Sequence, residues 1–157
     1  MIHEDQDIVR GLGFVTMYSA WLEQDVDDIL EILSPVSPFE QKIQRMRIGQ
    51  KIKYTATQLE QLLNNETIVE LPNILRNSIE LFERRNELIH GRIFAGHDKT
   101  AYLQSGRPNV PTRVVSAAEI YQLAKDFFNY RGHLIAAQVI RLPTVVAAHA
   151  LTTRRKH

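Results

Sequence analysis

Apolar residues recur at intervals of three and four along most of the chain, which is the pattern of helices with one buried face. The pattern predicts a first helix over Asp7–Leu33, which the sequence SPVSP ends because proline cannot continue a helix. A second helix is predicted over Phe39–Asn64 and a third over Leu71–His90. The third has Pro72 in its first turn, where a missing N–H is tolerated, and Gly91 as its C-cap.

A less regular segment separates the third helix from the fourth. Residues 92–115 are rich in turn residues and contain the runs RIF, TAYL and TRVV, which predict a small hairpin or an extended loop. The fourth helix is predicted from Ser116, where SAAE forms a capping box, to the sequence RLP, and residues 143–157 are predicted to be a C-terminal tail. The predicted fold is a single all-α domain over residues 1–157, an up-and-down bundle of four main helices with one insert.

The composition is that of a globular protein in a reducing compartment. Of the residues, 44% are apolar and 24% are charged, and the absence of cysteine excludes disulfides and thiolate chemistry. The acidic N-terminus does not resemble a signal peptide, and no apolar run is long enough to span a membrane. We therefore expect a soluble cytoplasmic protein without a membrane partner. Five aromatic residues at helical spacing are expected in the core: Tyr18, Trp21, Phe82, Phe127 and Phe128.

The third helix breaks its own pattern near its end, in the sequence ERRNELIHGRIF. With Leu71 at zero on a wheel of about 100° per residue, Arg85 falls at about 320° and Asn86 at about 60°, both inside the apolar arc. His90 lies at the edge of the arc, at about 100°. A guanidinium on an apolar face is unfavourable unless it is paired or hydrated. Two explanations compete: a buried ion pair with Asp25, which interrupts the apolar stripe of the first helix, or a functional cleft or subunit interface.

The run RNELIH, from Arg85 to His90, resembles the signature of the HEPN domain family, in which an arginine is followed after four to six residues by a histidine. In that family a polar residue, often asparagine, follows the arginine, and the motif lies near the end of the third helix of an all-helical bundle. The resemblance covers this short run in detail and the general layout of the helices. It implies metal-independent RNA cleavage, in which the ribose 2′-hydroxyl attacks the adjacent phosphate.

The resemblance also implies a role for each polar residue of the motif. His90 is the expected general base or acid, and Arg85 is expected to stabilise the charge of the transition state. Asn86 is expected to position the phosphate or to orient His90. Arg84 and Arg92 flank the motif and are the expected contacts to the RNA substrate. Three further basic residues of the insert are expected to border the cleft: Lys99, Arg107 and Arg113.

A homodimer is part of this interpretation. Arg85 and His90 lie about 140° apart around the helix, so one helix does not present both to one small target. Two copies paired across a twofold axis, as is common in the family, would bring two arginines and two histidines together. The resemblance further implies a toxin or a defence or stress effector, with a protein antitoxin or regulator as partner. Family toxins paired with nucleotidyltransferase antitoxins carry a tyrosine where this chain has Arg92, so the resemblance does not extend to that regulation.

A second function stays open, a non-catalytic helical dimer that binds protein or nucleic acid, with Arg85 held by Asp25. Replacing His90 by alanine discriminates between the two, because only the enzyme would lose an activity. Other chemistries lack a signature in the chain. There is no Gly-rich phosphate loop and no nucleophile elbow, and the 6 histidines are scattered, so neither a metal nor a cofactor is expected.

Overall fold

The computed structural model of the chain describes residues 7–62, 69–136 and 141–154. Within these ranges the chain forms five helices and one small three-stranded sheet, so the predicted all-α class is confirmed. The helices are α1 (Ile8–Leu33), α2 (Ile48–Leu62), α3 (Leu71–His90), α4 (Ala117–Ala136) and α5 (Leu142–Arg154). The strands are β1 (Arg92–Ala95), β2 (Ala101–Gln104) and β3 (Arg113–Val114).

The chain divides into two compact units, and the first contains residues 7–21 and 80–129. This unit holds the sheet, the start of α1, the end of α3 and most of α4. Aromatic rings fill much of its interior. The rings of Phe82 and Phe127 meet edge to face with their centroids 5.3 Å apart, and the ring of Phe14 lies 6.1 Å from that of Tyr121.

The second unit contains residues 22–62, 69–79, 130–136 and 141–154. Its core is aliphatic and includes Leu22, Val26, Ile29, Ile52, Leu59, Leu71, Leu75 and Leu134. Lys51 is buried in the same unit, with its Nζ 2.9 Å from a carboxylate oxygen of Asp27 and 3.6 Å from one of Glu23. The buried ammonium group is therefore neutralised locally, as a buried charge requires.

Two of the predicted helices agree closely with the structure. The third spans the predicted residues, Leu71–His90. The first begins one residue after Asp7, because Asp7 is its N-cap: the Asp7 carboxylate accepts the N–H groups of Val9 and Arg10 at 2.9 and 3.2 Å. Such a cap satisfies donors that the first turn of a helix leaves without partners.

The predicted start of the second helix is wrong. Residues 40–46 form turns, and α2 begins only at Ile48. The physical reason is the helical period, because a continuous helix would place Ile43 and Ile52 about 180° apart. Both side chains are buried, so the interruption lets them face the interior together. The predicted end at Asn64 lies outside the described residues.

The predicted C-terminal tail is also wrong, since α5 spans Leu142–Arg154. Pro143 lies in the first turn of this helix, where its missing N–H has no intrahelical partner to lose. Leu142, Val145 and Val146 are buried and form a short apolar face at helical spacing. The fourth helix was predicted to end near RLP, residues 141–143, but these residues lead into α5, and α4 spans Ala117–Ala136. Residues 137–140 and the end of the predicted tail, residues 155–157, lie outside the described residues.

The insert predicted between the third and fourth helices is an antiparallel sheet in the order β1-β2-β3. Arg92 pairs with Gln104 at one end of the first hairpin, and Ala95 pairs with Ala101 at the other. Lys99 adopts the left-handed conformation at the hairpin tip, with φ of 65°. The prediction of a small hairpin in this segment is therefore confirmed, and β3 adds a third strand.

Exposure departs from the prediction at two aromatic positions. Tyr18, Phe82 and Phe127 are buried as expected, but Trp21 is 41% exposed and Phe128 is 53% exposed. The ring of Tyr18 contacts both, at centroid distances of 5.2 and 5.4 Å. None of the helices in the described ranges combines the length and apolar character that a membrane span requires.

Candidate active site

A cleft of about 620 Å³ lies in the first unit beside the end of α3. One wall is the polar side of α3, and the other is the segment that follows β2. The lining residues are Glu80, Glu83, Arg84, Asn86, Glu87, His90, Ser105, Gly106, Arg107 and Val110. Asn86 and His90 of the motif therefore border the cleft.

Two glycines allow the walls to approach each other. A Cβ on Gly106 would lie 2.9 Å from the carbonyl oxygen of His90, and a Cβ on Gly91 would lie 2.6 Å from Leu103 Cδ1. Real Cβ atoms do not tolerate contacts this short, so larger residues would push the β2 end away from α3. Gly91 was predicted as a C-cap, and the N–H of Gly91 donates to the Glu87 carbonyl at 3.0 Å.

Asn86 and His90 both line the cleft, one helical turn apart on the same side of α3. His90 is the last residue of the helix and is exposed, whereas Asn86 is half-buried. An exposed imidazole at the edge of a cleft can exchange protons with a bound substrate and with water. The position suits a general acid or base.

Arg85 is joined to this pair through Asn86 and does not itself line the cleft. Its Nη1 donates to the Asn86 side-chain oxygen at 2.9 Å. Its Nε is buried and has no hydrogen-bond partner in the described part of the chain. A buried donor without a partner is uncommon in folded proteins and calls for a reason.

The structure gives Asp25 a different partner from the Arg85 that the sequence suggested. Both oxygens of the buried Asp25 carboxylate accept hydrogen bonds from Arg131, at 2.7 and 3.2 Å. Burial raises the pKa of Asp25, and the hydrogen bonds from Arg131 oppose that rise. The sequence could not identify this pair, because Arg131 lies more than a hundred positions away from Asp25.

The two arginines expected to contact substrate lie in different places. Arg84 lines the cleft and forms a salt bridge of 3.0 Å with Asp126. Arg92 begins β1, and its guanidinium carbon lies 5.9 Å from the centre of the Phe94 ring. Only Arg84 is therefore positioned in the cleft wall, with part of its charge already neutralised.

Arg113, expected at the border of the cleft, instead connects β3 to α3 and α4 through ion pairs. Its Nε donates to Glu87 at 2.9 Å, and its Nη1 and Nη2 donate to Glu119 at 3.0 and 2.7 Å. The hydrogen bonds that Arg113 donates, first to Glu119 and then to Glu87, raise the pKa of Arg113. The same contacts neutralise Glu87, which would otherwise repel an anionic substrate from the cleft.

In the cleft wall that follows β2, the sequence pointed to Arg107 but not to Ser105 or Gly106. Ser105 and Gly106 face the end of α3, and Arg107 lines the cleft as the basic insert was expected to do. The signal for the first two is weak, since a Ser-Gly pair after a strand is an ordinary turn sequence. Glu80 and Glu83, on the polar side of α3, also border the cleft.

Comparisons of the chain with protein-family models, curated proteins and solved structures find no match. The chemistry of the cleft therefore has to be argued from its own residues. Within the ranges that the structure describes, no three histidine or acidic side chains come together as metal ligands would. The groups available for chemistry in the cleft are an imidazole, an amide, a serine hydroxyl, guanidinium groups and carboxylates.

Proposed function

We propose that the chain is a metal-independent endoribonuclease of the HEPN type, acting as a toxin or as a defence or stress effector. One observation carries the proposal. Asn86 and His90 share the wall of one cleft, and Arg85 is hydrogen-bonded to Asn86, while its Nε has no partner among residues 7–62, 69–136 and 141–154. The three polar residues of the motif thus lie together at the end of α3, two of them in the cleft wall and the third hydrogen-bonded to Asn86.

In the proposed reaction, a ribose 2′-hydroxyl attacks the adjacent phosphorus atom. An imidazole of His90 takes the hydroxyl proton, and the bond from phosphorus to the 5′-oxygen breaks. The leaving 5′-oxygen receives a proton from a histidine or from water. The products are a 2′,3′-cyclic phosphate and a 5′-hydroxyl, so atoms and charge balance without a redox partner or a cofactor.

Arg85 and Asn86 serve the phosphate in this proposal. The planar guanidinium of Arg85 matches the oxygens of the pentavalent transition state, whose negative charge exceeds that of the substrate. Asn86 holds that guanidinium through its side-chain oxygen. Its side-chain N–H groups are then directed elsewhere, and one of them can donate to the phosphate.

The proposed active form is a homodimer. Asn86 and His90 line the cleft and Arg85 does not. This agrees with the angle of about 140° that separates Arg85 from His90 around one helix. A partner copy would supply the missing arginine to each histidine. Such a twofold arrangement uses the same surface on both copies and creates two equivalent sites.

A second candidate function is the non-catalytic dimer that binds protein or nucleic acid. The observation that favours it is the exposure of Met17, Trp21 and Phe128, since clustered exposed apolar side chains mark interaction surfaces. This function needs no exposed imidazole in the cleft. Removal of His90 therefore separates the two candidates.

The test is cleavage of labelled mixed RNA by the wild-type protein and the His90→Ala variant in the presence of EDTA. We expect the variant to lose about 100-fold or more in rate, because general acid–base catalysis contributes on this scale. His97→Ala is the matched control, since His97 is an exposed histidine outside the cleft. Equal cleavage by wild type and His90→Ala, or no cleavage by the wild type, would favour the non-catalytic dimer.

A further inference from the structure

One side of the sheet faces solvent and carries two aromatic rings. Side chains alternate between the two sides of a strand, and the register fixes which residues share a side. We call one side the aromatic face, which consists of Arg92, Phe94, Tyr102, Gln104 and Val114. The opposite side includes Leu103, which is buried in the core of the first unit. The aromatic face thus points away from that core.

The two rings form a continuous apolar surface. Phe94 and Tyr102 are directly opposite each other on β1 and β2, with their centroids 5.9 Å apart and their planes inclined by 25°. Phe94 is 38% exposed. Tyr102 packs against the backbone of Gly96, where a Cβ would come within 2.6 Å of the Tyr102 ring. The hairpin turn therefore fixes the ring in place.

The aromatic face carries one positive charge, that of Arg92, and no acidic residue lies in the three strands. Arg113 lies on the opposite side of the sheet, level with Leu103. Arg92, Lys99 and Arg107 form no ion pair within the part of the chain that the structure describes. Asp98 is the single acidic residue between His90 and Arg113 in the sequence, and its carboxylate accepts the N–H and hydroxyl of Thr100 at 3.0 and 2.8 Å.

We propose that the aromatic face binds unpaired bases of single-stranded RNA and leads the strand to the cleft. Aromatic rings on a positively charged surface bind single strands, because each base can stack on a ring while the phosphates meet the cations. Paired bases are stacked within their duplex and cannot use such a surface. The occupant that fits both the rings and the charge is therefore an unpaired RNA segment.

The position of the aromatic face agrees with this role. The Arg92–Gln104 pair lies at the end of the sheet where β1 begins and β2 ends. His90 and Ser105, which line the cleft, are close to that pair in sequence. Phe94 is four residues from His90, so their Cα atoms are at most about 14 Å apart. This inference rests on the proposed function, since it names how that RNA substrate is held.

The test is the affinity of the full chain for a short fluorescent single-stranded RNA whose riboses carry 2′-O-methyl groups. The methyl groups remove the attacking hydroxyl, so fluorescence anisotropy reports binding without cleavage. We expect Phe94→Ala to bind about tenfold or more weakly, because one base loses its stacking partner. Phe94→Leu should bind equally weakly, and Phe94→Trp should retain wild-type affinity, because the π-face rather than apolar bulk holds the base.

Two controls make the result specific. Val9→Ala removes a more exposed apolar side chain on α1, outside the aromatic face, and should leave RNA affinity unchanged. A duplex of the same sequence should bind wild type and Phe94→Ala equally. Circular dichroism should show that the variants remain folded, as an exposed side chain permits.

Wild-type affinity in a folded Phe94→Ala variant would overturn the inference. A Phe94→Ala variant that changes its oligomeric mass in solution but not its RNA affinity would also overturn the inference. The aromatic face would then be a contact between proteins. The outcome is separate from that of the proposed function. RNA binding that depends on Phe94, without any cleavage, would support the role of the aromatic face and contradict the nuclease activity. Cleavage without Phe94-dependent binding would support the nuclease activity and contradict the role of the aromatic face.

Discussion

Among the described residues, the guanidinium of Arg85 donates a hydrogen bond to Asn86, and its buried Nε has no partner. An unsatisfied buried donor costs about 1–3 kcal/mol, so this arrangement lowers the stability of the fold. Another arginine of the protein, Arg131, has its hydrogen bonds satisfied by a carboxylate. Arg131 uses two nitrogens to bind the buried Asp25 carboxylate. The contrast supports the role proposed for Arg85, since residues at active sites are often unfavourable for stability.

The first prediction concerns this contrast. Arg85→Met should raise the free energy of unfolding by about 1 kcal/mol, because it replaces a half-buried, poorly satisfied charge by an apolar side chain of similar length. The same change should lower RNA cleavage about 100-fold or more, since a donor to the transition state is lost. Urea denaturation gives the first quantity, and the rate on labelled RNA gives the second.

Arg131→Met is the matched control for this prediction. It should lower the free energy of unfolding by about 2 kcal/mol, because it leaves the Asp25 carboxylate buried without its partner. The loss is smaller than for a fully buried ion pair because Arg131 is partly exposed. A loss of stability in Arg85→Met of the same size would make Arg85 a structural residue. Full cleavage activity in that variant would contradict the role proposed for Arg85.

At the scale of single elements, the start of α4 shows how far a local motif can be trusted. SAAE predicts a capping box, and the Ser116 hydroxyl does accept the N–H of Glu119 at 3.1 Å. The Glu119 carboxylate binds Arg113, which links the helix to β3. The hydrogen bond to the Ser116 hydroxyl thus follows from the local sequence. The partner of the Glu119 carboxylate depends on a tertiary contact that the motif does not contain.

The second prediction follows from that cap. Ser116→Ala should lower the free energy of unfolding by about 1 kcal/mol, because the first turn of α4 loses the acceptor for one of its N–H groups. Ser116→Asp should retain most of the stability, since aspartate is an equally good N-cap. Chemical denaturation of the two variants beside the wild type measures both values. Equal loss in both variants would mean that the hydroxyl does more than cap the helix.

Local sequence was sufficient where one face of a helix is buried along its whole length. The bounds of α3 could be predicted because its apolar arc, Pro72 and Gly91 agree with one another. The turns before α2 could not be predicted, since they depend on where Ile43 packs. The helix after Pro143 was missed because the same proline can end one helix or begin another.

The active-site candidates divide in the same way. Arg85, Asn86 and His90 are visible in the sequence, because polar residues interrupt an apolar arc at the end of a helix. The opposite wall of the cleft, with Ser105 and Gly106, is brought there by the sheet. Its residues are ordinary turn residues, so nothing in the local sequence distinguishes them from other loops.

At the scale of the whole molecule, the proposal requires two copies of the chain. If each site takes Arg85 from one copy and His90 from the other, inactive variants can complement each other. A mixed dimer of Arg85→Ala and His90→Ala has one site that lacks both residues and one site that has both. The geometry of α3 therefore leads to a test that does not depend on knowing the interface.

The third prediction is that an equal mixture of Arg85→Ala and His90→Ala, after the subunits exchange, recovers roughly a quarter of the wild-type rate. Half of the dimers are mixed, and half of their sites are complete. Each variant alone should stay inactive, and light scattering should give the mass of a dimer for all of them. An inactive mixture of exchanged dimers would place Arg85 and His90 of one site on the same copy.

The central claim is that His90 directs attack of a ribose 2′-hydroxyl on the neighbouring phosphate. The most direct measurement is the chemistry of the 3′ ends of fragments produced from mixed RNA in EDTA by the wild type and by His90→Ala. The expected result is 2′,3′-cyclic phosphate ends from the wild type and no fragments above background from the variant. Fragments ending in 3′-hydroxyl groups, or cyclic phosphates in equal amounts from both proteins, would contradict the claim.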